Sequence, residues 1–120
     1  MNIEEFTEYC LVKKGVAESF PFGGDTLVFK VVGKIFSLTG LENIPASANL
    51  KCDPEWAITL REEYEDIQPG YHMNKAHWNT VTLEGSLEDS LIKKLIDHSY
   101  DLVVQSLPKK DKIILENMLD

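Results

Sequence analysis

The stretch Thr26-Leu27-Val28-Phe29-Lys30-Val31-Val32-Gly33-Lys34-Ile35-Phe36-Ser37-Leu38-Thr39 decides the fold, because β-branched and aromatic residues crowd it and a glycine divides it. Thr26 to Val32 and Lys34 to Thr39 read as two strands joined by a turn at Gly33. In the first, Leu27, Phe29 and Val31 share one side, leaving Thr26, Val28, Lys30 and Val32 on the other. The second is ambiguous: either Phe36 and Leu38 or Ile35 point inward. After a loop around Pro45, Ala46 to Lys51 reads as a third strand, with Ala48 and Leu50 opposed to Ser47, Asn49 and Lys51. Trp78 to Glu84 alternates as a fourth, Val81 and Leu83 against Trp78, Thr80 and Thr82. A further short strand fits near Tyr71 to Met73.

Around these strands the period is helical. Asn2 to Lys14 predicts a first helix with Asn2 as N-cap, Glu4 and Glu5 in its first turn, Lys13 and Lys14 in its last, and Gly15 as C-cap. Ser19 to Asp25 (SFPFGGD) is a loop. Asp53-Pro54 starts a second helix that carries Trp56, Leu60 and Tyr64 inward to about Asp66, and Pro69-Gly70 turns the chain. Ser86 with Asp89 predicts a capping box opening a third helix, with Leu91, Leu95, His98 and Leu102 at helical spacing. Lys109 to Leu119 forms a short terminal helix after Pro108. Strands in short-looped succession with helices at both ends and one between give an α+β domain. Its two layers are an antiparallel sheet of about 4–5 strands and helices on one face. No repeat, linker or composition shift divides residues 1–120, so a single domain is expected.

The 120 residues are 43% hydrophobic and 27% charged, which is globular composition. The net charge of −8 argues against an indiscriminate binder of nucleic acid or anionic membrane. It conceals a segregation, however. Residues 26–41, 43–52 and 67–83 contain Lys30, Lys34, Lys51 and Lys75 and no carboxylate, so they carry +4 and the remainder −12. Cys10 and Cys52, without C-x-x-C spacing, suit a reducing compartment as small buried hydrophobes. No segment approaches the roughly 18 apolar residues of a membrane span, and the acidic N-terminus is unlike a signal peptide. A cytoplasmic protein without a membrane partner is the expectation.

Tyr71 to Thr80 packs two imidazoles, an ammonium, two amides, a hydroxyl and an indole into ten positions. Such a mixture suits phosphate contact through Lys75 and stacking on Trp78. It equally suits a structural turn in which Asn74 caps backbone groups and Trp78 packs at the sheet edge. His72 and His77, five apart and without a third ligand, make no metal motif. Neither cysteine has a nucleophile signature around it, G-x-S-x-G is absent, and Gly23-Gly24-Asp25 reads as a turn. No catalytic residue, metal or cofactor is therefore expected.

His72-Met73-Asn74-Lys75-Ala76-His77-Trp78-Asn79-Thr80-Val81, followed by Leu83-Glu84-Gly85-Ser86-Leu87, resembles the signature of the MmcQ/YjbR family. The resemblance extends to Lys14-Gly15-Val16, Pro21-Phe22-Gly23, Val28-Phe29-Lys30-Val31, Gly33-Lys34-Ile35-Phe36 and Leu50-Lys51 before Asp53-Pro54. It implies a small domain of the CyaY-like kind and DNA binding through a double-wing arrangement. At the matching positions, Lys30, Lys51, Asn74, Lys75, His77, Trp78 and Thr80 would carry that binding. The expectation is a non-enzymatic DNA-binding protein using a basic sheet face and the Asn74 to Thr80 segment. The alternative is a cytosolic adaptor or chaperone-like module taking a protein or a small anionic ligand on the same face.

Overall fold

The computed structural model describes residues 1–70 and 73–119. The elements run α1 (Ile3–Leu11), β1 (Val16–Ser19), β2 (Thr26–Val31), β3 (Lys34–Gly40), β4 (Ser47–Lys51), α2 (Pro54–Glu63), β5 (Ile67–Pro69), β6 (Trp78–Thr82), α3 (Asp89–Ser106) and α4 (Lys109–Glu116). The strands form one sheet in the order β1-β2-β3-β4-β6-β5, antiparallel throughout. The α+β architecture is as expected, with six strands rather than four or five. Both extra strands are edges that alternation does not mark: β1 is four largely exposed residues, and β5 is three residues ending in Pro69. Tyr71 and His72 of the expected short strand lie outside the described residues, and Met73 is in no strand.

A bulge settles which way β3 faces. Phe29 pairs with Ser37 but Lys30 pairs with Ile35, so Phe36 is an extra residue in β3. Phe36 and Ser37 are thereby both buried, while Leu38 and Ile35 are half-buried beside Val28 and Lys30 on the other face. The bulge also frees backbone groups where the β3–β4 ladder ends at Ser37–Leu50. Ser99, fully buried in α3, takes them up: its hydroxyl donates to the Phe36 carbonyl and accepts from the Lys51 amide at 2.8 Å.

The helices cover the face bearing Leu27, Phe29, Val31, Leu50 and Val81. Phe6 of α1 meets Phe29 edge-on with ring centroids 5.9 Å apart, and Tyr100 of α3 meets Phe36 at 5.4 Å. The buried stripe of α3 is Ile92, Leu95, Ile96, Ser99 and Val103, rotated from the expected Leu91, Leu95, His98 and Leu102. Leu91, His98 and Leu102 flank it, half-buried. In α2 the buried residues are Ala57 and Leu60, with Trp56 and Tyr64 at the margin.

Two of the four expected caps are drawn differently. The Asn2 capping box with Glu5 forms, but α1 stops at Leu11 with Val12 as its cap, two residues short of the lysine pair. Gly15, at φ +75°, turns the chain into β1 instead. Asp53 caps α2, with Pro54 in the first turn as expected. The Ser86 capping box does not form, because Glu88 holds the cap position of α3 and Ser86 donates both its amide and its hydroxyl to Asp66, at 2.7 and 2.8 Å. Those two bonds hold the Asp66 carboxyl below its usual range.

Candidate functional site

The face left uncovered carries Thr26, Val28 and Lys30 of β2, Ile35 and Leu38 of β3, Asn49 and Lys51 of β4, and Trp78 and Thr80 of β6. No strand position on it is a carboxylate. Lys51 and Trp78 are cross-strand partners, as are Asn49 and Thr80, whose hydroxyl donates to the Asn49 Oδ1. Lys30 lies on the same face two strands from β4, about 10 Å at ordinary strand spacing. All of these side chains are half-buried except that of Val28, which is fully buried between Ser19 and Leu38 of its neighbours. The open face is thus amphipathic rather than uniformly polar.

Strand direction adds an arrangement that alternation alone does not reveal. Antiparallel pairing puts the ends of β2 and β4 beside the starts of β3 and β6, so Lys30, Lys51, Lys34 and Trp78 gather at one end of the sheet. The 70–77 connection, with Lys75 and His77, lies at that end too. Asp25, Glu42, Asp66 and Glu84 flank the strands at the opposite end.

The Asn74 to Thr80 segment is organised by two residues that the sequence does not single out as site residues, Arg61 and Asn79. Arg61, the one arginine in the chain, reaches from α2 under the segment. Its Nε donates to Asn79 Oδ1 at 2.7 Å, and its terminal amine donates to the carbonyls of Lys75 and, at 3.2 Å, Trp78. Asn79 is buried beside Leu50. Asn74 caps the turn as its type predicts, its side chain accepting from the Ala76 amide and its carbonyl from the amides of His77 and Trp78. The His77 carbonyl accepts from Cys52 at 2.7 Å, tying the turn to the end of β4. Gly70 must lack a side chain here, since a Cβ would stand 2.9 Å from the Trp78 Cβ and carbonyl oxygen. The backbone of the segment is held, and the Lys75 and His77 side chains are exposed, as is that of Asn74 beside its bond to the Ala76 amide.

A trough of about 690 Å³ runs over the open face. Its floor includes Thr26, Leu38, Ser47, Asn49 and Thr80; Phe22 comes from the β1–β2 loop and Met73 from the β5–β6 connection, at opposite ends of the sheet. Asp25 and Asn43 add polar groups at the acidic end. Of the sequence-predicted site residues only Thr80 lines this trough, while the lysines stand at its basic end. In the sequence Phe22 is marked only as an aromatic between Pro21 and Gly23 in the stretch expected to be a loop.

Both thiols are poor nucleophiles at neutral pH: burial pushes Cys10 up to about 12 and Cys52 up to about 11. Among the described residues no three His, Cys, Asp or Glu side chains are placed to hold a metal ion. Nor is any helix among them long and apolar enough to cross a membrane.

The chain is 40% identical to the uncharacterised protein YjbR of Escherichia coli K12 over 116 residues, 96% of this chain and 98% of that one. It is 40% identical to the uncharacterised protein YyaQ of Bacillus subtilis over 63% of each chain. A crystal structure of a Deinococcus radiodurans protein with domain DUF419 superposes with a TM-score of 0.90 at 36% identity, covering 96% of this chain and 88% of that one. A Pseudomonas syringae protein superposes with a TM-score of 0.74 at 32% identity, covering 85% and 98%. The family model described as YjbR matches residues 11–102, and with a relative aligned along nearly its whole length, the chain belongs to the YjbR family.

Proposed function

We propose that the chain is a non-enzymatic binding module that takes DNA on its open sheet face, with Lys30, Lys51 and Lys75 contacting phosphates and Trp78, Thr80, Asn74 and His77 completing the contact surface. The supporting observation is the gathering of lysines at one end of a face whose strand positions hold no carboxylate, in a chain of 20 acidic residues. A focused positive region on an acidic body steers a polyanion to one place and disfavours wrapping elsewhere. The net charge of −8 favours the second reading, a protein or small anionic ligand on the same face, because long-range repulsion opposes a polymer more than a compact anion.

Titrating a labelled oligonucleotide at several salt concentrations distinguishes the two. Three lysine–phosphate contacts give a log–log slope of roughly −2 to −3. Charge reversal at Lys30 or Lys51 weakens binding and flattens that slope. A chain that binds no oligonucleotide at low salt overturns the DNA reading and leaves the adaptor reading standing.

A further inference from the structure

The trough and the lysines divide the open face into two chemically different halves, and the division says which form of nucleic acid suits it. At the basic end stands Lys51, the phosphate contact of the proposed function. Two residues along the same strand, roughly 7 Å away, the floor becomes Asn49. Among the described residues the Asn49 Nδ2 amide makes no hydrogen bond, its Oδ1 being taken by Thr80. Leu38 is the partner of Asn49 on β3, and toward the acidic end of the trough stand the Ser47 hydroxyl and the Asp25 carboxylate, which accepts from the Glu42 amide. The Asp25 carboxylate repels phosphate but accepts from the amino groups of a base edge. Phe22 stands beside this floor with 69% of its surface exposed, so its ring is available to a ligand in the trough.

We infer that the trough receives an unpaired base, with Phe22 as its stacking surface and Asn49 and Asp25 facing its edge, so that the ligand is single-stranded nucleic acid whose backbone runs on to Lys51. This inference rests on the nucleic-acid reading and narrows it. A cavity of about 690 Å³ is within the roughly 300–1,000 Å³ range of small-ligand clefts, ample for a nucleotide. A duplex hides its base edges in grooves and offers this face only phosphates. A single strand satisfies both halves at once.

The test compares four labelled 15-nucleotide probes by fluorescence anisotropy with the full chain: a single DNA strand, its duplex, a single strand lacking bases, and the RNA strand of the same sequence. Expected are at least tenfold tighter binding of the single strand than of the duplex or the base-free strand, and a roughly tenfold or greater loss in Phe22→Ala and Asn49→Ala for the single strand alone. Phe22 is exposed, so the melting temperature of Phe22→Ala stays at the parent value and loss of fold does not mimic loss of contact. The RNA strand offers the same unpaired bases and phosphates and is expected to bind better than the duplex, and an RNA strand bound no better than the base-free strand overturns the inference. Equal binding of the base-free strand or duplex, or indifference to Phe22→Ala, overturns the inference while the DNA reading survives. Absence of binding to all four probes overturns both.

Discussion

Arg61 shows how a single side chain turns a polar segment into a surface. Its guanidinium is spent on the Asn79 amide and the carbonyls of Lys75 and Trp78, so it anchors the segment rather than meeting a ligand. Arg61→Ala leaves the buried Asn79 oxygen without its donor and the turn without its anchor. The expected cost is about 3 kcal/mol, read as a lower urea midpoint at unchanged m. Arg61→Lys recovers little, because an ammonium cannot span the same fork of acceptors. Trp78, opposite Lys51, is half-buried rather than enclosed. Trp78→Ala should therefore cost about 2 kcal/mol, short of the roughly 3–5 of a fully enclosed aromatic, by the same denaturation measurement. An unchanged midpoint would make the indole purely a contact surface.

Between elements, the joint of α2 with α3 carries a pH dependence. His98 of α3 accepts the Asp53 amide proton on Nε2 at 3.0 Å and meets Trp56 edge-on at 4.7 Å, so the fold holds the imidazole neutral. Burial lowers its pKa below 6.5, against the opposing pull of the Asp53 and Asp101 carboxylates. The unfolded chain then takes up this proton at higher pH than the folded one. Stability contributed by neutral His98 is complete above pH 6.5 and is lost as pH falls through the lower folded value. Thermal melts from pH 7.5 to 5 should show the melting temperature falling below about 6.5, and His98→Gln should remove that part of the fall. A flat profile in the parent chain over that range would show that the imidazole is protonated without consequence.

Across the whole molecule the basic and acidic ends of the sheet follow from antiparallel order, and Lys75 tests whether they matter. Its side chain is exposed and only its carbonyl is used by Arg61. Lys75→Glu should leave stability within about 0.5 kcal/mol of the parent while weakening oligonucleotide binding and reducing the magnitude of the salt slope by about 1. Destabilisation without a change in binding would take the residue out of the contact surface. Thermal melts and salt titrations on the same preparation separate the two outcomes.

What the sequence determined by itself was local. Alternation placed Phe29 and Leu50 inward and Lys30 and Lys51 outward, because a strand's side chains have no third direction to take. Asn2 and Asp53 capped their helices because each needs only an amide within a turn of its own backbone. The family was legible too, since the His72 to Val81 run is contiguous. Tertiary structure decided whatever depends on a distant partner. The Phe36 bulge required Ser99, 63 residues away, to satisfy the backbone it frees. The Ser86 cap was lost to Asp66, and β1 exists only because β2 offers it a ladder. The trough needs Phe22 and Met73 to arrive from opposite ends of one sheet, a meeting produced by strand order and not by any spacing along the chain.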